Sequence, residues 1–375
     1  MSTFKKLLFV TTQLGIGGSE KVILDIIEKL DITKFKVYVV AFGGGELENI
    51  FRSICSKVFI ISKKPGFDIQ VMLKIARIVD KNKIDVIIAH HYMPLFYSFP
   101  ASKILNRRKL VYTEHSVPEV DSIKSSIHGK IFNIMCYQID IVVGVSNEIA
   151  NRFRSHYPRH QRKVATVLNG IEIEKFNTKA NKSELRNIWG LTSEHFVIGV
   201  VANFRHVKNH ACLVRAVSRI KDAYSNVCLF FAGVGVTSPL KNSEHEIHTL
   251  VAERGLMKHV IFAGYQDDIP EILPIFDVFC LPSFSEGLPV SVLEAMAAKV
   301  PVIGSRARGI TEVIKHRDTG LLFDIDNDEQ LAHLLIEVIQ NPELLRKFRD
   351  NGYTYVVENH DTAKWVNQWS NIFLQ

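Results

Sequence analysis

Two glutamates, Glu286 and Glu294, lie eight residues apart in a stretch that could bind a ligand rich in hydroxyl groups. Residues 277–281 have the composition of a buried strand, a turn with glycine and proline follows, and residues 289–299 have helical periodicity. This order predicts that Glu286 lies in the turn and Glu294 inside the helix. The helix N-terminus adds unpaired N–H groups and a partial positive charge. Both carboxylates can therefore flank one extended polar ligand.

Two cations, Arg205 and Lys208, follow a second buried strand, predicted over residues 196–201. A pyrophosphate needs countercharge and directed donors, and charge-assisted hydrogen bonds contribute about 1.5–3 kcal/mol each. Arginine can bind it bidentately, whereas lysine acts as a point charge. No Asp-rich cluster for a divalent ion accompanies them. The alternative is a pair of solvated surface cations.

Gly17 and Gly18 follow the first predicted strand and precede a helix, which is the position of a dinucleotide-binding loop. The third glycine of that fingerprint is missing, and the second predicted strand ends without a carboxylate for a ribose, so the sequence argues against NAD. Two interpretations remain for the loop. It either approaches a phosphate closely or forms an ordinary tight turn.

His115 follows a strand predicted over residues 109–113, next to Glu114. A lone histidine in such a place is either a structural hydrogen-bonding group or a contact to the substrate, and Glu114 beside it could be a base. His90 and His91 follow another strand and are predicted to be structural.

Seven short motifs resemble, in this order, the retaining GT-B glycosyltransferases of family 4, also called glycosyl transferases group 1. The resemblance extends over nearly the whole chain, and the order of the motifs carries it, because a glutamate pair at this spacing alone is common. The motifs are Gly17-Gly18-Ser19-Glu20, Glu114-His115-Ser116, Val145-Ser146, Leu168-Asn169-Gly170-Ile171, Asn203-Phe-Arg205-His-Val-Lys208-Asn209, Phe262-Ala-Gly264-Tyr265 and Glu286-Gly287-Leu288-Pro289 with Glu294-Ala-Met-Ala.

The resemblance implies roles for these residues. His115 is expected to contact the transferred sugar near its reacting carbon, and Glu286 is the second expected catalytic residue. Arg205 and Lys208 are expected to replace a metal in stabilising the departing nucleotide diphosphate, so no metal and no other cofactor is expected. Tyr265 is expected to wall the base pocket, with simple packing as the alternative. The expected donor-binding residues are Gly17, Gly18, Arg205, Lys208, Tyr265, Gly287, Leu288 and Glu294.

One position departs from the family pattern. Where the family usually has a glycine pair before a glutamate, this chain has Arg308-Gly309 ahead of Glu312. Arg308 could select an acidic donor sugar, and the alternative is a side chain directed to solvent.

The pattern of the whole chain predicts an α/β protein of two domains. Its 375 residues with 47% hydrophobic content can bury two cores, and short apolar runs alternate with amphipathic stretches as in βα units. Ser19 and Ser146 are predicted helix N-caps. Strands are predicted over residues 6–12, 37–42, 57–61, 85–89, 109–113, 141–145, 163–168, 196–201, 227–232, 260–262, 278–281 and 300–303. Helices are predicted over residues 19–30, 69–81, 147–156, 209–221, 244–254, 289–299 and 329–339.

A polar segment after residue 172 marks the predicted boundary between residues 1–172, an acceptor-side domain, and residues 173–359, a domain that binds the nucleotide sugar. The resemblance implies that both are Rossmann-like, that they face each other across a donor-binding cleft, and that a helix over about 360–375 packs back on the first domain.

Charge is distributed unevenly along the chain. Residues 1–172 hold 25 Lys and Arg against 15 Asp and Glu, a net of +10, whereas residues 173–375 hold 21 against 24, a net of −3. The basic half predicts an anionic neighbour, and we expect peripheral docking on an anionic membrane through residues 107–109, the aromatic run at 92–99 and residues 130–135. A basic surface that only aids solubility is the alternative. No nucleic-acid motif is present.

The cysteine pattern and the N-terminal segment bear on location. The five cysteines are scattered and odd in number, which favours neither a disulfide framework nor a zinc site and fits a reducing cytoplasm. The apolar run near the N-terminus ends by Thr11 and is predicted to be a strand rather than a signal peptide. No stretch is long enough to predict a transmembrane helix.

These observations predict a cytoplasmic, metal-independent, retaining glycosyltransferase of the hexosyltransferase type. It would move a sugar from a nucleotide diphosphate donor, most simply a UDP-sugar, to a hydroxyl of a growing glycan, with a lipid-linked acceptor. The alternatives are a GT-B-like nucleotide-sugar 2-epimerase and a non-catalytic module that binds a glycan or a nucleotide sugar.

Overall fold

A computed structural model describes residues 4–105, 108–116, 127–177, 181–236, 240 and 242–375. The chain divides into two compact units. Unit 1 consists of Met1–Gly170 and Ala363–Gln375, and unit 2 consists of Ile171–Thr362. Each unit is built on its own parallel sheet, so the α/β class predicted from the sequence is confirmed.

The sheet of unit 1 has seven strands within the described residues, in the order β3-β2-β1-β4-β5-β6-β7. Every neighbouring pair is parallel. The central strands are continuous apolar runs because helices cover both faces of such a sheet. The strands are β1 Lys5–Thr11, β2 Phe35–Ala41, β3 Lys57–Ile60, β4 Val86–His90, β5 Lys109–Glu114, β6 Ile141–Gly144 and β7 Val164–Thr166.

The sheet of unit 2 has six parallel strands within the described residues, in the order β10-β9-β8-β11-β12-β13. Two hydrophobic clusters, one on each face, form the core of this unit. The strands are β8 Phe196–Val201, β9 Val227–Ala232, β10 Val260–Gly264, β11 Val278–Leu281, β12 Val302–Ser305 and β13 Leu321–Phe323.

Helices connect the strands in both units. In unit 1 they are α1 Gly18–Lys29, α2 Glu48–Ile54, α3 Ile69–Asn82, α4 Tyr92–Phe99 with a π-helical extension Pro100–Leu105, α5 Ile127–Cys136 and α6 Asn147–His156. In unit 2 they are α7 Lys182–Ile188, α8 His210–Ile220, α9 Glu244–Glu253, α10 Ile269–Ile272, α11 Val290–Ala297, α12 Ile310–Val313, α13 Asp328–Gln340 and α14 Pro342–Asn359. The last helix is α15 Thr362–Leu374.

The last helix, α15, packs on unit 1. The ring of Phe373 lies 5.9 Å from that of Phe9 on β1, centroid to centroid, and Trp365 and Trp369 are buried in the same cluster. The Lys109 ammonium donates to the carbonyl of Ile372 at 2.5 Å. Apolar burial and this bond tie the chain end to the first sheet.

Of the two predicted helix N-caps, Ser146 is confirmed and Ser19 is not. Ser146 caps α6, because its Oγ accepts a hydrogen bond from the Ile149 amide at 3.2 Å. The prediction for Ser19 is wrong. Helix α1 has Gly17 at its N-cap, and the Ser19 hydroxyl donates to the Glu20 carboxylate at 2.8 Å instead.

No helix in the described ranges combines the length and the apolar character needed to cross a bilayer.

Candidate active site

The order of the second sheet reverses between β8 and β11, and the loops after these two strands leave on either side of that point. In open α/β sheets ligands bind at such a reversal, beyond the carboxyl ends of the strands. The Phe284 amide donates to the Val207 carbonyl at 2.8 Å and thereby joins the two loops. The structure therefore brings Lys208, predicted from one motif, next to Glu286, predicted from another.

Lys208 and Glu286 contact each other directly. The Lys208 ammonium lies 2.7 Å from Glu286 Oε1, and the two side chains are 21% and 12% exposed. The same carboxylate oxygen accepts from the Ser283 hydroxyl at 2.6 Å. Ser283 is fully buried, and its carbonyl accepts from the Ser305 hydroxyl at 2.5 Å. A cation and a buried hydroxyl thus set the position of the Glu286 carboxylate.

The loop around Glu286 depends on one glycine. Gly309 has a φ of 80°, and a Cβ there would lie 2.6 Å from the Glu286 carbonyl oxygen and 2.8 Å from that of Gly287. The Glu286 amide donates to the Arg308 carbonyl at 3.1 Å. The left-handed backbone and the close contact both require glycine at 309. Arg308 can stand beside it because its side chain is exposed.

The other predicted donor-site residues of this loop differ in exposure. Gly287 is half-buried, and Glu294 is buried one turn into α11. Leu288 belongs to the hydrophobic core of unit 2, so its side chain serves packing and only its backbone is left for a ligand. The predicted donor-site residues of this loop therefore do not all present their side chains to a ligand.

The remaining predicted residues of unit 2 are more exposed. Arg205 is exposed and precedes the 3-10 turn His206–Lys208. Tyr265 is 44% exposed. It follows β10, the edge strand two places from β8, so it stands apart from the reversal point in the sheet order.

The order of the first sheet reverses between β1 and β4, and the glycine loop follows β1. The Leu47 amide donates to the Leu14 carbonyl at 2.9 Å, so the loop after β2 supports this segment. A Cβ at Gly18 would meet no described atom within 4 Å, whereas one at Gly17 would meet the Glu20 carboxylate. Of the two glycines, Gly18 therefore has the free space beside its backbone that a ligand could approach.

Three histidines meet on the other side of this reversal. His90 ends β4 and His115 follows the neighbouring β5, and His90 Nδ1 lies 2.8 Å from His115 Nε2. His91 Nδ1 lies 3.2 Å from Glu114 Oε1. Within the described ranges, no group of three His, Cys, Asp or Glu side chains is arranged to hold a metal ion.

Glu114 is fully buried and holds the backbone after β5. Its Oε1 accepts from the amides of His115 at 2.7 Å and Ser116 at 2.9 Å, and its Oε2 accepts from the Tyr112 hydroxyl at 2.6 Å. A carboxylate with these partners is a poor proton acceptor for a substrate. The suggestion that Glu114 is a base is not supported.

Burial keeps the paired histidines neutral. Loss of hydration, with the nearby His91 as a smaller cause, lowers the pKa of His90 to about 3. Burial also lowers the pKa of His115 well below its ordinary value, with His91 and His90 acting in the same direction. At neutral pH one of the two facing ring nitrogens therefore donates and the other accepts.

Comparison with known proteins covers both units. The model of Glycosyltransferase Family 4 matches residues 16–175, and the model of Glycosyl transferases group 1 matches residues 181–355. The chain belongs to the family 4, group 1 glycosyltransferases. The family resemblance predicted from the motifs is confirmed, and the epimerase and binding-module alternatives are not supported by this membership.

Two curated relatives and one solved structure align over nearly their whole length with this glycosyltransferase. N-acetyl-alpha-D-glucosaminyl L-malate synthase of Bacillus anthracis is 25% identical, over 97% of this chain and 95% of the relative. UDP-Gal:alpha-D-GlcNAc-diphosphoundecaprenol alpha-1,3-galactosyltransferase of Escherichia coli is 22% identical, over 100% and 98%. The crystal structure of Anabaena HepE in complex with UDP and glucose has a TM-score of 0.86 at 21% identity, with both chains fully covered. The glycosyltransferase therefore has the GT-B fold, with two Rossmann-like domains.

Two residues that contact the predicted site residues were not predicted from the sequence. Ser283 lies in the turn after β11, three residues before Glu286, but its hydrogen bond to that residue depends on the fold of the turn. His90 was predicted to be structural, although it ends the strand next to the one that His115 follows. The proximity of the two histidines could have been predicted, because both lie at the carboxyl ends of neighbouring parallel strands.

Part of the predicted docking surface of the glycosyltransferase is wrong. The aromatic run is helix α4, in which Tyr92, Leu95 and Tyr97 are buried in the core of unit 1. Lys109 is half-buried and bonded to α15, and Arg107 lies outside the described residues. The alternation of apolar and aromatic residues in this run reflects core packing.

Proposed function

We propose that the protein is a retaining, metal-independent glycosyltransferase that moves a sugar from a UDP-sugar to a hydroxyl of a growing, lipid-linked glycan. The observation that carries the proposal is the contact between Lys208 and Glu286 at the reversal point of the second sheet, with Arg205 exposed just ahead of the turn that holds Lys208. Cations there suit a pyrophosphate, and a carboxylate beside them suits sugar hydroxyls.

The choice of UDP is supported by the relatives. The Escherichia coli relative is named for UDP-Gal, and the Anabaena structure contains UDP and glucose. Tyr265 offers an exposed ring for a base, and Glu294 is proposed to reach the ribose hydroxyls. Gly17 and Gly18 of unit 1 are proposed to approach the donor sugar and its phosphates, and His115 to contact the transferred sugar.

Retention and metal independence rest on the family resemblance and on the charges. Arg205 and Lys208 supply the countercharge that a divalent ion would otherwise give to the leaving diphosphate. Retention means that an α-linked donor yields an α-linked product, and both curated relatives carry "alpha" in their names.

The acceptor is proposed to be lipid-linked because unit 1 is basic and presents a suitable surface. We define the α5 surface as Lys130, Ile134, Tyr137, Arg159 and Arg162. Ile134 is 69% and Tyr137 58% exposed, and the three cations are exposed as well. Lys130 and Ile134 lie one turn apart on the same face of α5, and Tyr137 follows in the turn after the helix. Apolar side chains among cations are typical of docking on anionic lipid.

The α5 surface is continuous across two segments of the chain. The ring of Tyr137 lies 4.6 Å from that of His160, which stands between Arg159 and Arg162. The cations of one segment therefore lie beside the exposed aromatic residue of the other. The predicted cytoplasmic location stays a prediction from the cysteine content.

Donor and acceptor assays test the proposal. Purified protein is incubated with UDP-, GDP- and ADP-sugars and either a polyprenyl-diphosphate-linked monosaccharide or L-malate, and the product is analysed by mass spectrometry and by NMR of the new anomeric carbon. We expect an α-linked disaccharide from a UDP-sugar on the lipid-linked acceptor. Transfer to L-malate alone would contradict the acceptor, and a β-linked product would contradict retention.

A further inference from the structure

His90 and His115 form an edge-to-edge pair of rings. Their facing nitrogens, Nδ1 of His90 and Nε2 of His115, are 2.8 Å apart. The ring centroids are 5.1 Å apart with planes inclined by 26°, a separation that matches an in-plane hydrogen bond rather than face-to-face stacking. The His90 ring lies against Phe9 at 5.8 Å and is fully buried. The pair is therefore rigid on the His90 side.

The surroundings of His90 Nε2, the nitrogen that faces away from His115, determine which nitrogen of His90 carries the proton. His90 Nε2 is buried and has no hydrogen-bond partner among the described residues. A proton on that nitrogen would leave a buried N–H unpaired, which folded proteins avoid more strictly than an unpaired acceptor. The proton therefore lies on Nδ1, which donates to His115 Nε2. A neutral His115 must then carry its own proton on Nδ1.

We propose that His90 is a positioning residue that fixes the tautomer and ring orientation of His115, so that His115 presents an Nδ1–H donor to the substrate. This inference rests on the proposed function, in which His115 contacts the transferred sugar. The ligand group that such a donor takes is an oxygen acceptor, either a sugar hydroxyl or the bond oxygen that accumulates charge. Glu114 complements this by holding the His115 amide at 2.7 Å.

The tautomer can be measured without any transfer reaction. In the full-length protein labelled with 15N-histidine, long-range proton–nitrogen correlation distinguishes the two neutral forms, and the His115 signal is assigned by its loss in His115→Asn. We expect the Nδ1-protonated form in the parent and a mixture of forms in His90→Phe. A parent His115 protonated on Nε2 overturns the proposal, whatever reaction the enzyme performs.

Kinetics test the consequence. His90→Phe should lower kcat by about 10- to 100-fold, the range for lost outer partners of functional histidines at metal sites, with little change in the donor KM. His90→Asn, whose amide can donate from near the Nδ1 position, should restore kcat to within a few-fold, whereas His90→Gln should not. The control His259→Asn removes a half-buried histidine of unit 2 that contacts the Val227 carbonyl, away from the proposed sites, and should leave kcat unchanged.

A double variant separates positioning from an independent effect. His90→Phe combined with His115→Asn should be no slower than His115→Asn alone, because His90 acts through His115. Multiplied losses, or a normal kcat in His90→Phe, overturn the proposal. If the parent transfers no sugar, the proposed function fails and the NMR result still decides the tautomer.

Discussion

The Lys208 ammonium and the Glu286 carboxylate form an ion pair of 2.7 Å across two loops of unit 2. Both residues belong to the proposed donor site, with opposite preferences: the cation for the diphosphate and the carboxylate for sugar hydroxyls. In the proposed site a bound diphosphate would compete with Glu286 for Lys208. Donor binding would then be coupled to release of the Glu286 carboxylate from Lys208, while the Ser283 hydroxyl still donates to that carboxylate.

Glu286→Gln should bind UDP more tightly than the parent. The change removes the competing charge, and partly exposed pairs contribute about 0.2–1 kcal/mol, so we expect Kd to fall by up to about fivefold. Lys208→Ala should weaken UDP binding by about tenfold or more, because a charged hydrogen bond of about 1.5–3 kcal/mol is lost. Isothermal titration with UDP measures both. Exposed Glu253→Gln is the control, and weaker UDP binding by Glu286→Gln would contradict the competition.

Glu286 and Glu294 should differ in kinetics. Glu286→Gln should lower kcat by about 10- to 100-fold, since hydrogen bonds of about 1.5–3 kcal/mol at the reacting sugar matter most in the transition state. Glu294→Gln should mainly raise the donor KM and weaken UDP binding, because ribose contacts are similar in ground and transition states. Steady-state assays and UDP titration decide this. Near-normal kcat in the first variant, or unchanged UDP affinity in the second, would show that these glutamates only brace the loop and helix.

Chelation should leave transfer intact. Because Arg205 and Lys208 are proposed to supply the countercharge, we expect the same initial rate with and without EDTA, and a severe loss of donor use in Arg205→Ala. The rate is followed by release of UDP. Loss of activity that only Mg²⁺ or Mn²⁺ restores would refute metal independence.

The α5 surface should bind anionic vesicles. At low salt we expect co-sedimentation with vesicles that contain phosphatidylglycerol and little with neutral vesicles, because Arg159 and Arg162 attract anionic headgroups. The double variant Ile134→Glu with Tyr137→Glu should abolish binding. Ile32→Glu, an exposed apolar position elsewhere in unit 1, serves as the matched control. Equal behaviour of both variants would place the membrane contact elsewhere, and no binding to either vesicle would rule it out.

Acid should destabilise the protein partly through His210. Burial lowers its pKa to about 3, from an ordinary value of 6.5, with the charge of Lys208 as a smaller cause. The unfolded chain therefore binds more protons below pH 6.5, and the stability from the neutral form is present above 6.5 and is lost as pH falls towards 3.

The matched variant is His210→Phe, because the ring packs between Phe204 and Phe231 at 4.8 and 5.5 Å. Between pH 6 and 4 the parent should lose about 1.4 kcal/mol per pH unit more than the variant. Urea unfolding at several pH values measures the slope, and exposed His245→Gln should follow the parent. Parallel slopes for parent and His210→Phe would contradict the assignment.

The sequence by itself determined the fold class, the element order and the loops that carry the chemistry. Strands over residues 196–201, 227–232 and 278–281 and the helix over 147–156 were predicted at their observed bounds. These elements have strong local signals, since apolar runs and amphipathic periods arise from neighbours along the chain. Elements with weak signals were missed. Strand β13 has three residues, and α14 buries only Phe348, Gly352 and Val356, a narrow stripe four residues apart.

Only the tertiary structure decided which side chains meet. Lys208 and Glu286 are 78 residues apart in the chain, and His90 and His115 are 25 apart. Their contacts follow from the strand order of each sheet, which local periodicity does not encode. Burial likewise assigned Leu288 and the aromatic run of α4 to the core, because an apolar residue has the same local pattern whether it faces a ligand, a membrane or another helix.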